Sequence, residues 1–267
     1  MVGLYKRYMS NTLDTLETSI PLTIVDILHE DKVFHLIQDT ELPAGTKQRG
    51  IKFFETLKDS GIKEVVTYGT VYGYGQVATA WCCREIGLLC TIFLPETFPR
   101  THMTKDAIKL GATIIDVGPE NGYPNGIILL TKSKIYAQKD ETRRLIEIGL
   151  NDDGYIQALA DGIVHGNNLL QTKIYPERIW VAGGSGVLTR AIAKAFPNAE
   201  VCVVQVGRRI NPDILKEIKH TLYISPEPFR NNASLPPPYK SLAHYDAKIW
   251  RFVSKHGCTG DYIWNVK

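Results

Sequence analysis

The chain has little cysteine, and none of it is spaced for metal or redox work. Cys82, Cys83, Cys90, Cys202 and Cys258 stand among 267 residues. None forms a C-x-x-C pair and four lie in apolar runs, so they read as buried, reduced thiols. No stretch reaches the roughly 18 apolar residues of a membrane span. Met1-Val2-Gly3-Leu4-Tyr5-Lys6-Arg7 carries no apolar core of signal-peptide length, so a soluble cytoplasmic protein is expected. Neither sign of charge dominates: 31 Lys and Arg against 28 Asp and Glu leave a net charge of +3. That balance does not by itself imply nucleic acid. Internal repeats and low-complexity tracts are also absent. The one segment expected to be loose is Asn231-Asn232-Ala233-Ser234-Leu235-Pro236-Pro237-Pro238, whose proline run reads as an extended loop.

What is present is a globular composition, 44% hydrophobic and 22% charged, able to bury one large or two small cores. From residue 48, helix and strand patterns alternate. Ile51, Phe54 and Leu57 recur at helical spacing, and Gly61 stands as a stop. Residues 64–68 read as a short buried strand, and 69–75 as a glycine-punctuated turn. Residues 77–86 read as a helix, 90–94 as a strand, 104–110 as a helix and 113–117 as a strand. This order predicts a parallel sheet with right-handed crossovers. Residues 122–126 read as a turn, 127–130 as a strand and 141–148 as a helix. The alternation then resumes: helix over 156–170, strand over 179–182, and a helical face of Leu188, Ala191, Ile192 and Ala195. A strand over 201–206, a helix over 212–220 and a strand over 222–224 follow. The expected fold class is two-lobed α/β, with parallel sheets carrying helices on both faces. The smaller lobe spans 50–118, and the larger is formed by 1–49 plus 119–267.

Gly183-Gly184-Ser185-Gly186 follows the strand-like Ile179-Trp180-Val181-Ala182 and opens a helical pattern. Such a loop presents free backbone N–H groups at the positive end of a helix dipole, and phosphate is its usual guest. Glycine is needed there because side chains would block close approach. A tight turn with no ligand is the plain alternative. A dinucleotide is the rival guest, but the third glycine position of that fingerprint holds Thr189. The next strand also ends at Val206-Gly207-Arg208-Arg209, without an acid for a ribose hydroxyl. An NADP-binding oxidoreductase, with Arg208 on the extra phosphate, survives as an alternative. Far upstream, Lys47 sits between the Pro43-Ala44-Gly45-Thr46 turn and a helical pattern. A lone lysine is ordinarily a solvated surface group. At a helix mouth between lobes it is placed to form an imine and to shuttle a proton. An imine-forming lysine and a phosphate loop together point to pyridoxal 5'-phosphate (PLP), whose substrates carry an amine.

Ala44-Gly45-Thr46-Lys47-Gln48-Arg49 resembles the lysine motif of the fold-type II PLP enzymes, the tryptophan synthase β-like group. Within it, aminocyclopropane-carboxylate deaminase, D-cysteine desulfhydrase and the threonine synthase-like members look nearest. The likeness continues in the family's order through residues 65–78, 91–96, 109–112 and 183–188. It covers roughly residues 40–207. The resemblance implies a PLP-dependent lyase-type enzyme of amino-acid metabolism, acting at the substrate Cα by β-elimination or replacement, deamination or decarboxylation. It implies Lys47 as the PLP carrier and proton shuttle, and Gly183, Gly184, Ser185 and Gly186 as the phosphate cradle. Thr70, Tyr72, Gly73, Tyr74 and Gly75 would wrap the substrate carboxylate. Cys258-Thr259-Gly260-Asp261 resembles the hydroxyl-plus-glycine segment that faces the pyridine nitrogen, which makes Thr259 the candidate there. A neutral hydroxyl leaves the ring a weaker electron sink and suits β-elimination. With Asp261 at the nitrogen, decarboxylation or isomerisation becomes easier. Homodimers are common in the group.

The departures from that pattern matter. The carboxylate loop of the family carries Ser and Asn where this chain has Val71, Tyr72 and Gly73. Tyr72 or Tyr74 either replaces the lost hydrogen bond or packs beneath the helix. With the compact chain, this points away from a standard free-amino-acid dehydratase. Some bacteriophages use PLP enzymes of this type on amino acids attached to hypermodified thymines in DNA, inside the host cytoplasm. Arg208, Arg209, Lys216, Lys219, His220, Arg230 and Lys240 are compatible with amino-acid-modified DNA, as they are with a solvated basic face. The remaining alternative is an inactive relative that only binds a partner, against which the intact Lys47 and glycine loop stand.

Overall fold

The computed structural model describes residues 20–118 and 125–267. It begins with a hairpin that the sequence pattern did not announce. Strands β1 (Ile24–His29) and β2 (Lys32–Gln38) pair antiparallel across the turn Glu30-Asp31. Glu30 takes a φ of 55° there. No glycine or asparagine marks the bend, so the turn carried no signal.

The smaller sheet is wholly parallel. It holds β3 (Glu64–Tyr68), β4 (Leu89–Pro95), β5 (Thr113–Val117) and β6 (Arg143–Leu145) in the order β5-β4-β3-β6. Helices α1 (Lys52–Asp59), α2 (Gly75–Ile86) and α3 (His102–Lys109) bury Phe54, Ala78, Cys82 and Ala107 with Val65, Ile92 and Leu94 of the sheet. Helix α4 (Gly126–Ala137) covers the other side, where Leu129 and Ala137 meet Val66, Tyr68, Phe93 and Val117.

Two expectations are corrected here. Residues 127–130 are helical, because the Asn125 side chain accepts hydrogen bonds from the N–H groups of Ile127 and Ile128 and caps α4. Leu129, Ser133 and Ala137 then recur as its buried stripe. Residues 143–145, expected within a helix, pair in parallel with Glu64 to Val66, and strand pairing overrides local propensity. Helix α4 and strand β6 lie beyond residue 118; β6 pairs with β3 at the edge of the smaller sheet and α4 packs on it. The turn expected at 122–126 lies largely outside the described residues.

The larger sheet adds β7 (Arg178–Gly183), β8 (Glu200–Gln205), β9 (His220–Ile224) and β10 (Tyr262–Asn265) in the order β1-β2-β10-β7-β8-β9. Every pairing except β1 with β2 is parallel. Both faces of its central strands are apolar, as burial on both sides demands. Ile179, Val181, Val201 and Val203 pack toward helices α5 (Asp153–Asn168) and α6 (Val187–Ala195). Trp180, Ala182, Cys202 and Val204 pack toward Ile249, Trp250 and Val253. These three lie on the short turn Asp246–Ile249 and on helix α8 (Trp250–His256), which follows the four-residue helix α7 (Pro212–Leu215). α7 is shorter than the helix expected over 212–220. Among the described residues, no helix is long and apolar enough to cross a membrane.

Asp39, just past β2, forms a buried ion pair with Arg49 of the tight 3-10 helix Gly45–Gly50. The guanidinium donates from Nε at 3.0 Å and from Nη2 at 2.7 Å. It also donates to the carbonyls of Ile20 and Pro21. Removing one partner strands a buried charge. Asp39→Ala is therefore expected to cost about 3–5 kcal/mol of unfolding free energy in a urea titration. A loss below about 1 kcal/mol, the scale of an exposed pair, would show that the bridge does not anchor this turn.

Candidate active site

The carboxyl ends of parallel strands β3 and β7 open onto one cavity of about 230 Å³. Such ends are where open α/β sheets leave room for ligands. Lys47, the residues Thr70, Tyr72, Gly73, Tyr74 and Gly75, and the whole of Gly183 to Gly186 line it together. They come from three separated stretches of chain.

Lys47 is held by its neighbours rather than by its own side chain. Trp264 Nε1 donates to Thr46 Oγ1 at 2.8 Å, and the Thr46 N–H donates to the Val266 carbonyl at 3.2 Å. The Tyr155 hydroxyl donates to the Lys47 carbonyl at 2.9 Å. Gly45 sits at φ +59°, and a Cβ there would lie 2.5 Å from the Val266 oxygen, so the turn tolerates only glycine. Lys47 is half-buried and lines the cavity, with protein packed around its amine. Desolvation lowers its pKa to about 8, and nearby Asp246 and then Cys82 oppose that fall.

The glycine loop joins β7 to α6. A Cβ at Gly183 would lie 2.6 Å from Val203 Cγ1, so that glycine serves packing. Gly186 takes φ +80° as the helix begins. At Gly184 a Cβ would first meet the Tyr245 hydroxyl, at 3.0 Å, so this position is the least constrained by the fold. Thr189, one turn into α6, lines the cavity with a buried hydroxyl that has no hydrogen-bond partner.

The loop before α2 is braced from within. Gln76 Nε2 donates to the Val71 carbonyl at 3.1 Å, leaving its Oε1 buried and unpartnered. The Tyr74 hydroxyl donates to the Pro43 carbonyl at 2.6 Å, so this tyrosine ties the loop to the lysine turn. Tyr72 is 44% exposed. Its carbonyl lies 3.3 Å from His244 Nε2, which donates in the matching tautomer. Burial lowers the His244 pKa, and the bond to Tyr72 opposes the fall.

Thr259 does not join this group. It is exposed and precedes β10, whose first residue Tyr262 aligns with Ile179 at the start of β7. The glycine loop is at the other end of β7, about 13 Å along the strand. Asp261 is equally remote and already committed: Trp180 Nε1 donates to it at 2.8 Å and the Cys258 N–H at 3.0 Å. The likeness of residues 258–261 to a nitrogen-facing segment was local and ignored which end of the strand they occupy. The acid that lines the cavity is Asp246, 1% exposed, with neither carboxylate oxygen hydrogen-bonded. Its only trace in the sequence is an isolated acid beside aromatics in Tyr245-Asp246-Ala247-Lys248-Ile249-Trp250.

No protein-family model matches the chain, and no curated protein matches it. Solved structures do. An ACC deaminase homologue aligns over 91% of this chain and 88% of its own, at 13% identity and a TM-score of 0.73. A pyridoxal 5'-phosphate-dependent aspartate racemase aligns over 92% and 89%, at 16% identity and a TM-score of 0.68. A hydrogen sulfide-producing enzyme from Fusobacterium nucleatum aligns over 94% and 87%, at 14% identity and a TM-score of 0.66. The likeness establishes the fold, the two-lobed α/β fold of the fold-type II PLP enzymes.

The depressed basicity of Lys47 is directly measurable. Competitive labelling with trace acetic anhydride should show Lys47 titrating near pH 8, well below surface lysines near 10.4. Desolvation favours the neutral amine, so its labelling rises first as pH increases. A midpoint shared with the other lysines would place the amine in water.

Proposed function

We propose that the cavity holds pyridoxal phosphate and that the protein is a PLP-dependent, lyase-type enzyme acting at the Cα of an amino acid. The observation that carries this reading is the placement of a desolvated lysine amine and a glycine loop in one cavity. The residues fit the group. The loop offers backbone N–H groups at the start of α6, the Thr189 hydroxyl adds an unused donor, and Gly184 leaves space for close approach. Neighbours of the same fold include an Escherichia coli diaminopropionate ammonia lyase and a Rhizomucor miehei L-serine ammonia-lyase, which supports amino-acid chemistry.

When bound, PLP supplies a conjugated sink for the electrons of the bond broken at Cα. The chain does the rest. Lys47 Nζ would hold the cofactor and is placed to take and return a proton at the substrate Cα. A pKa near 8 keeps a usable fraction neutral at physiological pH, as both roles need. Gly183 to Gly186 bind the phosphate. Thr70 to Gly75, at the start of α2, orient the substrate carboxylate with backbone N–H groups. Tyr72, exposed beside them, shapes the space left for the substrate side chain, while the Tyr74 hydroxyl is spent on Pro43. Leu242, His244 and Tyr245 also line the cavity, His244 beside Tyr72 and Tyr245 beside Gly184, and limit water.

A free amino acid is favoured over one tethered to DNA. Neighbours of the same fold are named for amino acids: an aspartate racemase, a diaminopropionate ammonia lyase and an L-serine ammonia-lyase. The NADP reading gives no role to an amine facing the glycine loop.

Borohydride reduction of PLP-treated protein, followed by peptide mapping, should place the pyridoxyl group on Lys47. Labelling of another lysine, or none, sinks the reading. Turnover of a free amino acid should change little with salt, whereas a DNA-bound substrate would lose affinity steeply as salt rises. Gly184→Ala should weaken PLP binding by about tenfold or more while the melting midpoint moves only slightly, because its Cβ blocks close approach to the loop and need displace only the end of the Tyr245 side chain. Parallel loss of binding and stability would instead mark the loop as a plain turn.

A further inference from the structure

The cavity contains one group that the roles above leave idle. Asp246 opens the short turn that leads into α8, and its carboxylate is buried against the cavity with both oxygens unpartnered. Burying an ionised carboxylate without partners is expensive, so the group either stays protonated or waits for a donor. Burial pushes its pKa up to about 8. The backbone N–H group of Lys267, the Lys47 ammonium and the backbone N–H group of Val266 favour the charged form, but the two N–H contacts fall outside full hydrogen-bond geometry and leave both oxygens open to a better donor. The charged and hydrogen-bonded donors nearby are spent, and only the Tyr239 hydroxyl is not. Lys267 Nζ is given to the carbonyls of Thr40 and Leu42. The Tyr245 hydroxyl donates to the Ala182 carbonyl. The buried Tyr239 hydroxyl is itself unpartnered.

An occupant must therefore present three features to the walls: an anion at Gly183 to Gly186, a carbonyl carbon at Lys47, and an N–H donor at Asp246. In pyridoxal phosphate the ring nitrogen lies across the ring from the carbon that a lysine takes. Asp246 and Lys47 feel each other electrostatically without a hydrogen bond between them, which fits groups on opposite sides of one ring. On the reading that the cavity holds this cofactor, we propose that Asp246 receives the pyridine nitrogen and keeps it protonated. The place is the one the sequence assigned to Thr259, which the fold puts at the far end of the sheet.

The consequence concerns reaction class. A hydroxyl leaves the ring nitrogen neutral, and a β leaving group must then carry the electrons away. A carboxylate holds the proton on the ring, so the ring itself accommodates the charge developed at Cα. Asp246 thus extends the accessible chemistry to isomerisation at Cα and decarboxylation, which need no leaving group on the side chain. It acts as a positioning residue toward the cofactor and does not touch the substrate.

The test uses the full chain reconstituted with PLP labelled with nitrogen-15 in the ring. Lys47 labelling by borohydride is scored first: its absence in the parent protein removes the cofactor reading and this proposal with it. Given labelling, the ring-nitrogen resonance of the parent should be of the protonated type, and that of Asp246→Asn of the unprotonated type. PLP affinity should fall about tenfold to a hundredfold, the effect of a lost charge-assisted hydrogen bond. Without PLP, Asp246→Asn should melt no lower than the parent, because it removes a buried carboxylate that had no partner. If the asparagine variant takes up no PLP, Asp246→Glu decides, since it must restore both uptake and the protonated resonance. An unprotonated nitrogen in the parent, an unchanged protonated resonance in Asp246→Asn, or failure of a folded Asp246→Glu to restore either one overturns the proposal.

Discussion

Asp39 and Arg49 fasten the lysine turn to the larger sheet. The carboxylate follows β2 of the larger sheet, and the guanidinium belongs to the turn that carries Lys47 and leads into α1 over the smaller one. An isolated charge at either position would be intolerable in such a site, so each residue requires the other. The surroundings are built to admit the arginine. Gly162 on α5 has no alternative, because a Cβ there would lie 2.1 Å from the Arg49 carbonyl oxygen. Gly166, one turn on, would meet the guanidinium at 2.7 Å. The lysine turn is thus clamped by a charge pair, a helix surface and the hairpin at once. Its amine is left free because the bonds that hold it are made by its neighbours.

The same economy runs through the cavity. A fold optimised only for stability would not keep a desolvated amine, an unpartnered carboxylate, a glutamine oxygen and a threonine hydroxyl in one place. Local rules fail together where function needs them to. The surrounding sheets have ample apolar surface to carry that cost, with Trp180 and Trp264 among the fully buried side chains. The groups are also spread over distant stretches, so no single segment of sequence displays them all.

That spread explains what could and could not be read in advance. The alternation of helix and strand through residues 51–117 and 179–224 was visible because burial on both sheet faces forces short apolar runs between glycine stops. Lys47 and the glycine loop, which line one cavity, stand out in the sequence because each sits in a short pattern of fixed local companions. The β1–β2 hairpin was missed because a glutamate makes its turn. Residues 127–130 and 143–145 were exchanged in type because an asparagine cap and a parallel pairing outweighed propensity. Thr259 falls away from the cavity because sheet register sets which end of a strand a residue occupies, and no local motif records it; Asp246 lies on a short turn that carries no motif of its own.

Register also orders events in the growing chain. Strand β10 is the last element, yet it lies between β2 and β7, and Trp264 reaches Thr46 across 218 residues. The smaller sheet can close on contacts of modest sequence separation, but the larger one keeps two open strand edges until residues 262–265 arrive. Contacts of such span are slow to form, and the edges meanwhile are exposed to wrong partners. The amine and the glycine loop are therefore both made well before β10 arrives, and a ribosome-bound chain lacking β10 would hold both without the strand that joins β2 to β7 and without the Trp264 bond to Thr46.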